Sequence, residues 1–276
     1  MDEWPSSDPT AGRRADHQPY PIPAPPRRSH PILITIAVVG AVIAIVAGVL
    51  ALIRSPNSPL TALLYSRQTV LPFTGLKDPT GVAVDAHRDV YVTDAGNRRV
   101  LKLASASGSQ TELPFTNLAD PRAVAVDAGG NVYVADRRIQ RVVKLPAGSS
   151  SQTVLPFTGL DFPQGVAVDP AGDVYVTDTQ NNDNRVVKLA AGSTGQSVLP
   201  FDGLNQPYGV AVGPTGSIFV SDSNSRQVLK LPAGSSRQSA LPFSDLSSPE
   251  GVAVDGEGNV YVADAMGARV VKLRKA

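Results

Sequence analysis

The sequence predicts an all-β fold: a five-bladed β-propeller of four-stranded antiparallel blades, preceded by one transmembrane helix and a disordered tail. Three observations predict it. The run QTVLPF at Gln68–Phe73 returns with small changes at Gln110, Gln152, Gln196 and Gln238, at spacings of 42, 42, 44 and 42 residues. Three further short runs recur with it, so each repeat holds four strand candidates; in the third these are QTVLPF (152–157), GVAVD (165–169), DVYVTD (173–178) and RVVKL (185–189). Turn-forming TGLDFP, PAG, TQNND and AAGSTG separate them, and no long 3.6-residue periodicity competes. Four strands in about 42 residues is the signature of a propeller blade.

The tail comes first. Residues 1–30 are rich in Pro, Ser and Asp, carry four arginines and the one tryptophan, Trp4, and lack the apolar residues for a core. Their PYPIPAPPRR run favours polyproline II, which suits either a stiff spacer or a cytoplasmic partner with an SH3-like groove. Residues 31–53 are uncharged, with Thr35 their one hydroxyl. As a helix they reach roughly 35 Å, enough to cross a hydrocarbon core of about 30 Å. The block is too long for the apolar region of a cleaved signal and predicts an uncleaved anchor. Arg13, Arg14, Arg27 and Arg28 precede it, against Arg54 and Arg67 soon after. The positive-inside bias therefore expects a single-pass cell-membrane protein with a cytoplasmic N-terminus and extracytoplasmic repeats. The linker, 54–67, reaches at most roughly 50 Å and holds residues 68–276 close to the membrane.

Strand order follows from composition. GVAVD is apolar, with small residues suited to the crowded centre, and is expected innermost. QTVLPF carries Pro72, Pro114, Pro156, Pro200 or Pro242 and is expected at the outer edge, where a missing N–H is tolerated. Because the array opens on an outer strand and ends on a third one, Gln68–Phe73 is expected to complete the last blade and close the ring.

The recurring P-x-G-V-A-V-D, G-x-V-Y-V-T-D and N-R-V-V-K-L pattern, with Pro79, Pro121, Pro163, Pro207 and Pro249 at its start, resembles the NHL repeat. With L-P-F it is similar to the extracellular sensor domain of PknD-type bacterial transmembrane Ser/Thr kinases. The resemblance covers residues 68–276 and extends to the proline-rich segment, single helix and external propeller. It implies a membrane-anchored sensor-like module, although no kinase domain lies within these 276 residues and five repeats replace the six blades of that family.

Candidate function sits on one rim. The residue before each inner strand varies while its neighbours repeat: Thr80, Arg122, Gln164, Tyr208 and Glu250. These five are expected to ring the mouth of the central channel and to bind a ligand, since variable loop residues on a rigid scaffold suit recognition. The expected partner is an extracytoplasmic protein or an envelope glycan, and an adhesion or scaffold role is the alternative to sensing. Arg98, Arg137 and Arg138 are a candidate anion patch. The repeated Asp94, Asp136, Asp178, Asp222 and Asp264 are read as turn-stabilising, and Lys102, Lys144, Lys188, Lys230 and Lys272 as solvated.

Composition narrows the chemistry. With no cysteine there is no disulfide framework or cysteine metal site, and from residue 68 onward 19 Lys and Arg against 20 Asp and Glu disfavour nucleic acid. No cofactor, metal site or catalytic residue is expected. A metal-dependent lactonase or lyase would need His or clustered carboxylates at the channel, whereas the histidines are His17, His30 and His87. Asp78, Asp120, Asp161 and Glu250 could supply a glycosidase carboxylate pair, which no further feature of the sequence supports.

Overall fold

The computed structural model describes residues 70–179 and 184–275. The tail (1–30), the expected membrane helix (31–53), the linker (54–67) and the strand residues Gln68 and Thr69 lie outside the described residues. Among the described residues no helix is long and apolar enough to cross a membrane.

Among the described residues nineteen strands build five antiparallel sheets. Blade 1 holds β1 (Pro79–Val84), β2 (Val90–Asp94), β3 (Arg99–Leu103) and β4 (Gln110–Glu112). Blade 2 holds β5 (Pro121–Val126), β6 (Val132–Asp136), β7 (Arg141–Leu145) and β8 (Thr153–Val154). Blade 3 follows with β9 (Pro163–Val168), β10 (Val174–Asp178), β11 (Arg185–Leu189) and β12 (Gln196–Val198). Blade 4 holds β13 (Pro207–Val212), β14 (Ile218–Asp222), β15 (Gln227–Leu231) and β16 (Ser239–Ala240), and blade 5 holds β17 (Pro249–Val254), β18 (Val260–Asp264) and β19 (Arg269–Leu273). The GVAVD strand of every blade lines a central channel, as its small residues predict.

Burial explains the strand compositions. The second strand is buried at all five positions in blades 1 to 4, because neighbouring blades cover both its faces and leave no polar alternation. The core is accordingly a set of wedges between blades rather than one centre. In the first wedge Ala83, Tyr91 and Val100 of blade 1 meet Val124, Val134 and Val143 of blade 2. At the channel the backbones nearly touch: a Cβ on Gly81 would stand 2.7 Å from the Arg122 carbonyl oxygen, so only glycine permits that approach.

The outer strand is shorter than its motif. Only two or three residues pair, Gln110–Glu112 and Gln196–Val198 in blades 1 and 3 and Thr153–Val154 and Ser239–Ala240 in blades 2 and 4, and the L-P-F segment then turns into the cleft towards the next blade. There the Leu N–H donates back to the third strand, Leu113 to Val100, Leu155 to Val142, Leu199 to Val186 and Leu241 to Val228. Each prolyl residue thus lies beyond the ladder. The motif's Gln clasps its own blade: Gln110 Oε1 accepts from the Thr74 N–H and its Nε2 donates to the Thr74 carbonyl, as Gln152 does with Thr116.

The expected closure by Gln68–Phe73 is not seen among the described residues. Val70 is 90 % exposed and unpaired, and the fifth sheet ends at β19. Leu71 and Phe73 pack instead on Val90, Val92 and Leu103 of blade 1. Their counterparts elsewhere also cover the following blade; what the described residues lack is the contact back to a preceding one. Inner strands pack in series, β1 on β5, β5 on β9, β9 on β13 and β13 on β17, with no comparable packing of β17 on β1. Val270 is consequently 55 % exposed, while Val100, Val142, Val186 and Val228 at the same position are fully buried.

Candidate functional site at the channel mouth

The loops entering the inner strands and those joining second to third strands meet on one rim. A buried aspartate at the end of each second strand fastens them. Asp178 accepts from the N–H groups of Asp161 and Phe162 and pairs with Arg185 at 3.0 Å, and Asp264 does the same for Ser247, Ser248 and Arg269. Asp94 takes the Lys77 N–H together with Asn97 and Arg99. Burial alone pushes Asp94 up; the hydrogen bonds of Asn97, the Lys77 amide and Arg99 more than offset it and hold the carboxyl below its ordinary value. The five aspartates are turn anchors, as the repetition predicted.

The variable residues owe their position to a β-bulge. In all five blades the register between the inner and second strands slips at the start of the inner strand, for example between Pro121 and Ala123 and between Pro163 and Gly165. The skipped positions include Thr80, Arg122, Gln164, Tyr208 and Glu250. A bulge leaves its extra residue out of the ladder and re-aims the side chain. All five line the channel, whose volume is about 520 Å³. Three of the five backbones are also pinned across blades: Thr93 Oγ1 donates to the Arg122 carbonyl, Thr177 to Tyr208 and Ser221 to Glu250. The same hydroxyls accept the N–H of Gly81, Gly165 and Gly209. These bridging hydroxyls were not anticipated from sequence, although the recurrent Thr or Ser before the anchor aspartate was their signal.

Charge is distributed unevenly around the rim. Arg122 Nε lies 3.1 Å from Asp120 Oδ1, and Arg137 Nε donates to Asp120 Oδ2 at 2.7 Å. Of the expected anion patch Arg98, Arg137 and Arg138, Arg137 is thus paired with Asp120. Burial pushes Glu250 up, opposed by the charge of Arg122. Thr80 is tied down, donating to the Pro121 carbonyl at 2.8 Å. Blades 3 and 4 contribute the uncharged Gln164 and Tyr208 to the ring.

A divalent cation does not fit this channel. Hard cations need several convergent oxygen ligands, yet the acids lining the channel are Asp78 and Glu250, with Arg122 beside them. Among the described residues no three His, Cys, Asp or Glu side chains come together.

The repeated lysines differ from the expectation of solvated positions. Lys102 Nζ lies 5.2 Å from the centre of the Tyr91 ring and 2.7 Å from Asp89; Lys188 repeats both contacts on Tyr175 and Asp173, and Lys144 repeats the ring contact on Tyr133. Cross-strand pairing sets Lys opposite Tyr, so the stem covers the ring and the ammonium meets its face. The hydrogen bond to Asp89 raises Lys102 above its ordinary value.

A ring of radial antiparallel sheets around a side-chain-lined channel defines a β-propeller. This chain belongs to the SMP-30/gluconolactonase/LRE-like family, whose model matches residues 67–276. It is 57 % identical over 80 residues to the serine/threonine-protein kinase PknD of Mycobacterium tuberculosis (strains CDC 1551/Oshkosh and ATCC 25618/H37Rv), an alignment that takes in 26 % of this chain and 12 % of the kinase. The chain thus matches only a small part of that protein's length. Among solved structures it is similar to one of a nidogen/laminin complex (TM-score 0.69, 23 % identity, 74 % of this chain and 79 % of that one). It is also similar to a streptogramin B lyase (TM-score 0.60, 18 % identity, 74 % and 68 %). These structural likenesses concern the fold.

Proposed function

We propose that the chain is a membrane-anchored, extracytoplasmic ligand-binding propeller, a sensor-like module with no kinase domain within these 276 residues. The observation that carries this reading is the channel mouth, where a repeating scaffold presents five non-repeating side chains on bulges. A structural requirement would repeat from blade to blade, as the anchor aspartates do; Arg, Gln, Tyr and Glu at one position suit recognition of something asymmetric. The uncharged segment 31–53 and the arginines before it support the anchor and its orientation. Partial identity to PknD supports the sensor-like role.

The test joins capture to turnover. A variant carrying R122A, Q164A, Y208A and E250A is expected to keep its unfolding midpoint and far-UV spectrum and to lose capture of the envelope polysaccharide or protein that the parent retains. Unchanged capture would remove this face from consideration. Family membership supplies the second reading, a sugar-lactone hydrolase. Turnover of a sugar lactone by the parent, abolished by E250A, would move the assignment to catalysis.

A further inference from the structure

We propose that the groove between blades 3 and 4, on the channel-mouth face, is a subsite for a neutral carbohydrate ring. This inference rests on the reading of that face as the binding face and assigns the chemistry of its ligand. The groove has a volume of about 310 Å³, at the lower end of the roughly 300–1,000 Å³ of small-molecule sites. Two aromatics, Phe162 and Tyr208, and four primary amides, Gln164, Asn184, Asn205 and Gln206, line it together with Thr179. Among the described residues no charged side chain does.

Each primary amide offers two N–H donors and a carbonyl acceptor, the complement of adjacent hydroxyls that both donate and accept. A charged ligand would meet no counter-charge among these lining residues and would lose solvation without return. Asn184 Oδ1 is buried and has no hydrogen-bond partner among the described residues. A buried acceptor of this kind carries a desolvation cost that a ligand hydroxyl relieves. Phe162 is 41 % exposed, and its apolar surface suits the C–H face of a sugar ring.

The walls are fixed before binding. The Phe162 N–H is held by Asp178, and the Phe162 carbonyl accepts the Thr179 N–H. Thr179 Oγ1 donates to the Pro207 carbonyl across the groove at 2.7 Å, Asp222 holds the Asn205 N–H, and the Gln206 carbonyl accepts from Ser223. Walls set in advance lower the ordering cost of binding. The junction of blades 2 and 3 shows why the groove is local. There Arg137 stands where Thr179 stands, and its guanidinium bonds to Asp120, the counterpart of Phe162. A threonine in place of that arginine leaves the space.

The test is saturation-transfer NMR on the full-length chain with maltotriose, an α-mannotriose and an anionic hyaluronan tetrasaccharide as probes. Transfer to the C–H protons of at least one neutral trisaccharide is expected. F162A and N184A should each weaken it by about tenfold or more, with the exposed Arg237→Ala, between β15 and β16, unchanged and raised salt without effect, since no charge takes part. Equal unfolding midpoints show that the variants are folded. Absence of transfer to both neutral trisaccharides, or transfer that survives both groove substitutions, overturns the inference. Should only the anionic probe bind, and R122A abolish it, the channel mouth keeps its binding role and the groove alone loses its assignment.

Discussion

At the scale of single residues, one repeated contact and its one exception show how the blades tolerate change. Tyr91, Tyr133, Tyr175 and Tyr261 each donate a hydroxyl to an aspartate six residues earlier, Asp85, Asp127, Asp169 and Asp255. Blade 4 has Gly213 in place of the aspartate and Phe219 in place of the tyrosine, so donor and acceptor were lost together and no buried polar group is stranded. The space is lost as well: a Cβ on Gly213 would lie 2.8 Å from the Phe219 ring. Tyr133→Phe should therefore cost about 1.5–3 kcal/mol in urea unfolding, the usual worth of a hydrogen bond to a charged group. Gly213→Ala should cost about 1–3 kcal/mol by overpacking. Acid should probe the same contacts. Burial pushes Asp127 and Asp255 up, but the amides of Asn131 and Asn259, backbone N–H groups and the tyrosine hydroxyls hold both below the ordinary 3.8. A lowered folded-state pKa gives stability that is present above the unfolded value and lost as pH falls through the folded one. The urea midpoint is thus expected to be level near neutrality and to fall below about pH 4, less steeply in Tyr133→Phe for the share of the Asp127 shift that its hydroxyl supplies. A midpoint that rose on acidification would contradict these assignments.

At the scale of elements, the inner three strands of each blade were readable from sequence nearly to the residue, because Val-rich runs between turn signals have no competing periodicity. The outer strand was read too long. Its proline marks the place where L-P-F leaves the ladder to fill the next interblade cleft, and a strand-edge proline and a strand-end proline look alike in sequence. The bulge that displays the variable ring was also hidden, since P-x-G reads as a turn before a strand rather than as a slip within one. The lysines were misread for a related reason: their cover is a tyrosine on the adjacent strand, a cross-strand relation that no local pattern contains. The anchor aspartates, by contrast, announce a structural role by repeating. Asp178→Ala should cost on the order of 3 kcal/mol, since two loop N–H groups and Arg185 lose one shared acceptor. Because those N–H groups belong to Asp161 and Phe162, the loss should also raise hydrogen exchange in the loop entering β9, ahead of any global unfolding. Protection unchanged there would show that the loop is held by other contacts.

At the scale of the whole molecule, the five-blade count and the gathering of the variable residues around the channel could be derived from the phase of the repeat, but the state of the seam could not. Sequence shows that a strand is available to complete the fifth blade; whether it does so depends on how far apart the first and last blades stand, which is a property of the ring and of no single repeat. Among the described residues the seam carries one exposed valine where four equivalents are buried. That contrast allows a test within one repeat position. Val186→Asp places a carboxylate between blades 3 and 4 and should cost on the order of 4 kcal/mol or more, whereas Val270→Asp faces solvent and should stay within about 0.5 kcal/mol. The comparison cancels the chemistry of the substitution and the local strand context, RVVKL in both cases. What remains is cover. Equal damage at the two sites, measured by urea unfolding of the full chain, would mean that Val270 is buried in solution. Gln68 to Val70, in register with Leu273 to Val271 as Gln110 is with Leu103, would then be the segment that seals the ring.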